Sequence, residues 1–268
     1  MTLFSLFLLA IIQGITEFLP ISSSAHLALL HQVNGVSADD VALDVAVHLG
    51  SILAVIVYFR VESAAAVRGL GHLARGRSGT SEAHLARNLI LATVPLVFAG
   101  GLVVVMDWSD SLRNIRVIGW AMIIFGLLLW WIDRRAPQTG RVTEWSLRQA
   151  VIMGLWQVLA LIPGTSRAGI TITGARAMGM ERHDAARIAM LMSIPALLAA
   201  GGVLAIDVAR SEAGLELLGR AGFAALFAFA AALGSLSVMM RFLDRVSFTP
   251  YVIYRIALGV ILLAFAYA

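Results

Sequence analysis

Long stretches of this chain carry no charged residue, among them 45–59, 88–106, 117–132, 149–166, 188–206, 221–240 and 256–268. A hydrocarbon core of ~30 Å is crossed by ~20 mostly apolar residues in a helix, with a range of roughly 17–25. Several windows suffice alone, and others do once their flanks are included. They are apolar all round, whereas a helix on a soluble core shows one apolar stripe. Of the 268 residues 60% are hydrophobic and only 13% are charged, with a mean hydropathy of +0.88. A soluble domain is about 25% charged. The composition therefore excludes an ordinary soluble enzyme, a nucleic-acid binder and a disordered chain. The alternating ten-residue segments of a membrane barrel are absent. There is no Cys, which removes disulfides, thiolate catalysis and Cys-ligated metals, and all 20 basic residues are Arg. We expect one integral, all-α polytopic membrane domain spanning 1–268. Met1–Pro20 lacks a basic n-region and is read as part of the mature protein.

Arginine asymmetry in short loops sets orientation. Loop 60–87 carries Arg60, Arg68, Arg75, Arg77 and Arg87, and loop 133–148 carries Arg134, Arg135, Arg141 and Arg148. Both read as cytoplasmic, as does the basic loop 241–250. Loop 107–116 is balanced by Asp107 and Asp110, and loop 207–220 holds Asp207, Glu212 and Glu216, so both read as outside. Arg60, Arg134, Arg135 and Arg245 read as anchors, and Asp133–Arg134 and Asp244–Arg245 as interfacial pairs. Six spans near 41–59, 88–106, 117–133, 186–206, 221–241 and 251–267 alternate correctly. The leftover apolar stretches 3–34 and 149–180 fit the charge parity only if each enters and leaves on one side, the first dipping in from outside and the second from the cytoplasm. Each has a proline before a hydroxyl cluster, as a broken, re-entrant helix does.

Leu19-Pro20-Ile21-Ser22-Ser23-Ser24-Ala25-His26 aligns with Ile162-Pro163-Gly164-Thr165-Ser166-Arg167-Ala168-Gly169, with Ser22 opposite Thr165. Three spans follow each break. We expect an inverted-topology repeat with halves of approximately 1–140 and 145–268. A second recurrence is offset by 100 residues: Ala86, Arg87, Leu91, Pro95, Ala99 and Gly101 return as Ala186, Arg187, Leu191, Pro195, Ala199 and Gly201. We read it as similar packing chemistry.

An ionisable side chain at membrane depth costs several kcal/mol unless paired, so it marks function by default. Glu17 and Arg167 are the clearest cases, and Arg167 is the basic residue that departs from the edge-and-loop pattern. Gln13 lies one turn before Glu17 on the same face. Ser22, Ser23 and Ser24 can cap a new helix, with His26 one turn on. Ser166 and Arg167 hold the corresponding place in the second half, with Thr171 one turn after Arg167. Two helix N-termini meeting at mid-membrane favour an anion, and Arg adds a bidentate fork for phosphate oxygens. The constellation reads as a phosphate or pyrophosphate site beside a carboxylate base. His31 and His48 read as interfacial or structural.

At these residues the chain resembles the undecaprenyl-pyrophosphate phosphatase family, also called the bacitracin-resistance proteins. The first motif is Gln13-Gly-Ile-Thr-Glu17-Phe-Leu-Pro-Ile-Ser-Ser-Ser-Ala-His26, and the second is Pro163-Gly164-Thr165-Ser166-Arg167-Ala168-Gly169-Ile170-Thr171. Leu49 to Val55 and Ser247 to Arg255 match two further family runs. Ala168 stands where the family usually has Ser. Gln13 holds the first acidic position, which weakens a two-carboxylate metal site.

The resemblance implies hydrolysis of the 55-carbon polyprenyl pyrophosphate to the monophosphate and phosphate, recycling the lipid carrier of peptidoglycan synthesis. It implies a divalent cation, Mg²⁺ or Ca²⁺, with Glu17 as a possible ligand. It also implies bacterial inner-membrane residence, an extracytoplasmic site, a possible homodimer and competition by bacitracin for the substrate. We expect Glu17, Ser23, His26 and Arg167 to be catalytic, with Ser23 as nucleophile and His26 helping to move its proton. Gln13, Ser22, Gly164, Ser166 and Thr171 are expected to bind the pyrophosphate. Direct attack by water on the phosphorus is the other route. A secondary transporter or lipid flippase would use the same inverted-repeat site. The phosphatidic-acid-phosphatase superfamily is rejected, since its first motif requires a Lys.

Overall fold

The computed structural model describes residues 2–34, 38–108, 114–140, 145–210, 215–243 and 245–267. Asp110, Arg141, Glu212 and Asp244 lie outside the described residues, as do the side chains of His31, Asp207 and Glu216. The described residues form eleven α-helices and no strand. They are α1 (Leu3–Phe18), α2 (Ser23–Asn34), α3 (Ala38–Tyr58), α4 (Arg60–Ala74), α5 (Ser81–Val105) and α6 (Ile115–Arg135). After these come α7 (Leu147–Val158), α8 (Arg167–Ala177), α9 (Arg182–Arg210), α10 (Leu215–Phe242) and α11 (Thr249–Tyr267). Five helices are long and apolar enough to cross a membrane: Ser81–Val105, Ile115–Arg135, Arg182–Gly202, Leu217–Phe242 and Thr249–Tyr267. The sixth expected span is Leu43–Tyr58, which turns by 95° into α4. The protein is a multi-pass, all-α membrane protein.

Proline and hydroxyl residues make the breaks where the sequence pattern puts them. Thr2 caps α1 by accepting from the Ser5 N–H at 3.1 Å. The helix stops at Leu19, whose φ of −72° and ψ of 143° are the extended values a residue before proline prefers. In the second segment α7 opens on a capping box between Ser146 and Gln149. It tightens into a 3₁₀ turn (Leu159–Leu161) and stops at Ile162 before Pro163.

Packing holds the two broken segments in place. Helix α1 lies on α10 and α7 lies on α5, while α6 pairs with α11. Small residues bring these backbones close, which is how membrane helices associate without a hydrophobic drive. A Cβ on Gly50 of α3 would stand 2.1 Å from the carbonyl oxygen of Ala225 on α10, so that contact admits only glycine.

Two expectations are corrected here. Residues 60–74 are not a loop but helix α4, which buries Gly69 against the backbone of α5. Arg68 and His72 on α4 bind Glu82 at 2.8 and 3.1 Å, and Glu62 pairs with Arg187 of α9. Asp133 does not pair with its neighbour Arg134. It is 3% exposed and binds Arg176 and Arg182, each at 2.9 Å, whereas Arg134 and Arg135 stack on Trp130 and Trp131. Chain neighbours on a helix point about 100° apart, so adjacency in sequence was a poor guide to pairing.

Candidate active site

Glu17 sits on the last turn of α1 and is 6% exposed. Both of its carboxylate oxygens are engaged. Oε1 accepts from Arg167 Nη2 at 2.7 Å, and Oε2 accepts from Ser23 Oγ and Gln13 Nε2, each at 2.8 Å. Arg167 is the first residue of α8 and Ser23 the first of α2. Two helix starts that are 144 residues apart therefore converge on one carboxylate.

The residues before these helices share an unusual backbone. Ser22 has φ of 74° and Ser166 of 67°, the left-handed region that costs a non-glycine residue about 1–3 kcal/mol. Ser166 Oγ caps α8 by accepting from the Gly169 N–H at 3.1 Å. Structurally, then, Ser22 corresponds to Ser166 and Ser23 to Arg167. The alignment of Ser22 with Thr165 is off by one, because the second break holds an extra residue between its proline and its cap. The breaks also touch directly: the Gly164 N–H donates to Ser24 Oγ at 3.3 Å, and Ser24 Oγ lies 3.1 Å from Ser22 Oγ.

A cleft of about 220 Å³ opens in front of these groups, lined by Glu17, Ser22, Ser23, Ser24, His48, Ser166 and Arg167. Its other wall is apolar, made by Leu96, Ala160, Leu161, Ala196, Leu197 and Ala200. Leu96 and Ala196 directly follow Pro95 and Pro195, so the offset-100 recurrence places two proline-containing helices along one cleft. The volume is below the ~300–1,000 Å³ that encloses a drug-sized ligand. It suits an anionic headgroup whose apolar tail leaves along the greasy wall. The N-terminus of α8 and the Arg167 guanidinium supply the positive potential for that anion.

Not every expected residue faces the cleft. Thr171 Oγ1 donates to the carbonyls of Arg167 and Ala168 at 2.8 and 3.1 Å, so its hydroxyl is spent within α8. Gly164 serves the backbone: its φ is 91°, and a Cβ there would stand 2.4 Å from the Ile118 carbonyl oxygen. His26 is not bonded to Ser23. Its Nδ1 donates to the Ser22 carbonyl at 2.7 Å, since that oxygen can only accept, which leaves Nε2 to accept from the Tyr254 hydroxyl at 2.6 Å. Both ring nitrogens are thus taken, and the hydrogen bond from Ser23 goes to Glu17 instead.

Three residues were misjudged from sequence. His48, read as interfacial or structural, lines the cleft with Nε2 3.9 Å from Glu17 Oε2, while its Nδ1 donates to the Asp44 carbonyl at 2.7 Å. Only its position one residue before the Leu49–Val55 run hinted at this. Arg176, which the sequence does not single out, and Arg255, noted only as the end of the Ser247–Arg255 run, are both 0% exposed. Arg176 closes the far end of α8 by donating to Asp133 and to the carbonyls of Ala136, Pro137 and Met180.

Among the described residues no three His, Cys, Asp or Glu side chains are grouped to hold a metal. Gln13 Oε1, however, is buried with no hydrogen-bond partner beside the Glu17 carboxylate. Mg²⁺ is commonly bound by one or two carboxylates together with substrate phosphates. One carboxylate and one free amide oxygen fit a cation shared with a diphosphate, and do not fit an all-protein cage.

Comparison with known proteins agrees over the full length. The profile of a family described as "Bacitracin resistance protein BacA" matches residues 6–261. A protein named undecaprenyl-diphosphatase from Dinoroseobacter shibae is 55% identical over 268 residues, covering 100% of both chains. One of the same name from Ruegeria pomeroyi is 55% identical over 269 residues, again covering 100% of both. The similarity reaches more distant bacteria, with 42% identity and 99% coverage of each chain for the Maricaulis maris protein of that name.

Proposed function

Since the chain belongs to the bacitracin resistance protein BacA family, we infer that it hydrolyses undecaprenyl diphosphate to undecaprenyl phosphate and inorganic phosphate. This activity returns the lipid carrier to envelope-polymer synthesis. The observation that carries the residue-level reading is the convergence of Ser23 and Arg167 on buried Glu17.

Phosphoryl transfer needs positioning and charge neutralisation more than covalent chemistry from the protein. In our proposal Arg167, the free N–H groups of α8 and Ser166 hold the terminal phosphate. Ser23 Oγ attacks its phosphorus and passes its proton to Glu17 Oε2. The bond to the bridging oxygen breaks, and the lipid monophosphate leaves with that oxygen. Glu17 gives that proton to the departing monophosphate; water then attacks the phosphoserine phosphorus and gives a proton to Glu17, and as the P–Oγ bond breaks Glu17 returns the proton to Ser23 Oγ and inorganic phosphate leaves. Attack by a water held on Glu17 gives the same products in one step. A divalent cation, Mg²⁺ or Ca²⁺, would be held by Glu17 and Gln13 together with the diphosphate and would neutralise diphosphate charge. His26 orients the start of α2 through Ser22 and Tyr254, rather than moving the Ser23 proton.

We further propose that the protein resides in the bacterial inner membrane with the cleft open to the extracytoplasmic side, as the arginine asymmetry supports. A homodimer and competition by bacitracin for the substrate belong to the same proposal. The transport reading is not favoured, because the relatives are named for a phosphatase. Phosphate release by the purified protein in detergent, where transport cannot occur, tests the activity. We expect turnover of undecaprenyl diphosphate that falls on chelation and returns with Mg²⁺ or Ca²⁺. A folded protein that releases no phosphate with either cation would overturn the reading.

A further inference from the structure

Arg255 lies on α11, is 0% exposed and has no carboxylate partner among the described residues. Its guanidinium is bound by backbone carbonyls from two other elements. Nη2 donates to Thr165 O at 2.8 Å and Gly164 O at 3.1 Å, within the second break. Nε and Nη2 reach Met122 O and Ala121 O on α6 at 3.2 and 3.4 Å. Nη1 is buried without a hydrogen-bond partner. It lies beside the first turn of α8, since a Cβ on Gly169 would stand 2.9 Å from it and 3.3 Å from Ser166 Oγ.

A buried cation without a counter-ion is costly, and it persists where the surrounding structure uses it. Gly164 and Ser166 both hold left-handed backbone, so the 164–166 turn needs outside support to keep its shape. That turn leads directly into the first turn of α8, where Arg167 donates to Glu17 and lines the cleft with Ser166. We propose that Arg255 is a positioning residue of the phosphatase. It pins the second break to α6 through the Gly164 and Thr165 carbonyls, and it sets a fixed positive charge behind the phosphate-binding end of α8. It does not touch substrate; it acts through Ser166 and Arg167.

This inference rests on the phosphatase reading above, and its test separates the two. Arg255→Gln, Arg255→Lys and Gly169→Ala are purified in detergent. Each is checked for folding by gel filtration and thermal unfolding, and kcat per folded molecule and KM are then measured on undecaprenyl diphosphate. Misplacing reacting groups by about 1 Å costs roughly 100-fold. We therefore expect Arg255→Gln to lower kcat about 100-fold, with KM changing by less than about threefold. Arg255→Lys keeps the charge and part of the donor set and should recover about tenfold of that loss. Gly169→Ala keeps the arginine but pushes Nη1 aside, so it decides the matter if Arg255→Gln does not fold; its kcat should fall at least about tenfold. A merely structural role would lower the melting temperature and the folded yield and leave kcat per folded molecule unchanged. Near-normal kcat in folded Arg255→Gln, or in Gly169→Ala where Arg255→Gln cannot be obtained folded, overturns the inference. Absence of phosphate release from the wild type overturns the phosphatase reading instead.

Discussion

At the scale of single residues, Glu17 connects everything the site does. Its oxygens hold Ser23, Gln13 and Arg167, and His48 faces it across the cleft. The hydrogen bonds divide the two candidate proton carriers. Ser23→Ala should remove at least about 100-fold of the turnover if the hydroxyl is the nucleophile. His26→Ala, which breaks links to Ser22 and Tyr254 rather than to Ser23, should cost about tenfold or less. Acid-quenched protein incubated with ³²P-labelled lipid diphosphate reports the route. Label on Ser23 marks the covalent path, and its absence at full turnover favours water. Glu17, Arg167 and the hydroxyls beside them were legible because a charge inside an apolar window has few harmless explanations. His48 was not, because a lone imidazole in a span looks the same in sequence whether it faces lipid or a cleft. Arg255 was hidden for a related reason: its partners are all backbone carbonyls, which leave no trace in sequence.

Helices show where local pattern ends and tertiary contact begins. Proline and hydroxyl residues place both breaks, and the charge-free windows place the spans, so element positions could be read directly. The bend of α3 into α4 could not, since nothing between Tyr58 and Arg60 is a helix breaker; in the fold Gly69 of α4 lies against the backbone of α5. The cluster of Asp133, Arg176 and Arg182 ties the end of α6 to α8 and α9. Removing one member of a buried pair strands the other charge, which costs about 3–5 kcal/mol. Asp133→Ala should therefore lower thermal stability sharply, while an Arg134→Ala change at the adjacent position should have a small effect. Equal melting temperatures for the two variants would contradict the pairing. The contact of Gly50 with Ala225 predicts that Gly50→Leu forces α3 from α10 and gives little folded protein, checked by gel filtration in detergent.

For the whole molecule, a chain of broken and unbroken helices brings residues far apart in sequence, from Glu17 to Ala200, to one cleft. We propose that it does so as two inverted halves, near 1–140 and 145–268. The arginine map puts residues 75–77 and 134–135 on the cytoplasmic side and residue 108 outside. The chain has no native Cys, so single cysteines at these positions can be labelled without background. In intact cells an impermeant thiol reagent should modify a Cys at 108 and spare one at 76; the reverse would invert the topology. The central claim is that the two helix breaks form one phosphate-transferring site through Glu17 and Arg167. The most direct measurement is phosphate release from undecaprenyl diphosphate by purified wild type, Glu17→Gln and Arg167→Ala in detergent, with thermal unfolding as the control for folding. The account predicts steady release by the wild type and loss of at least about 1,000-fold in each folded variant, in line with removal of a principal electrostatic contributor. Turnover within about tenfold of the wild type in either folded variant would contradict it.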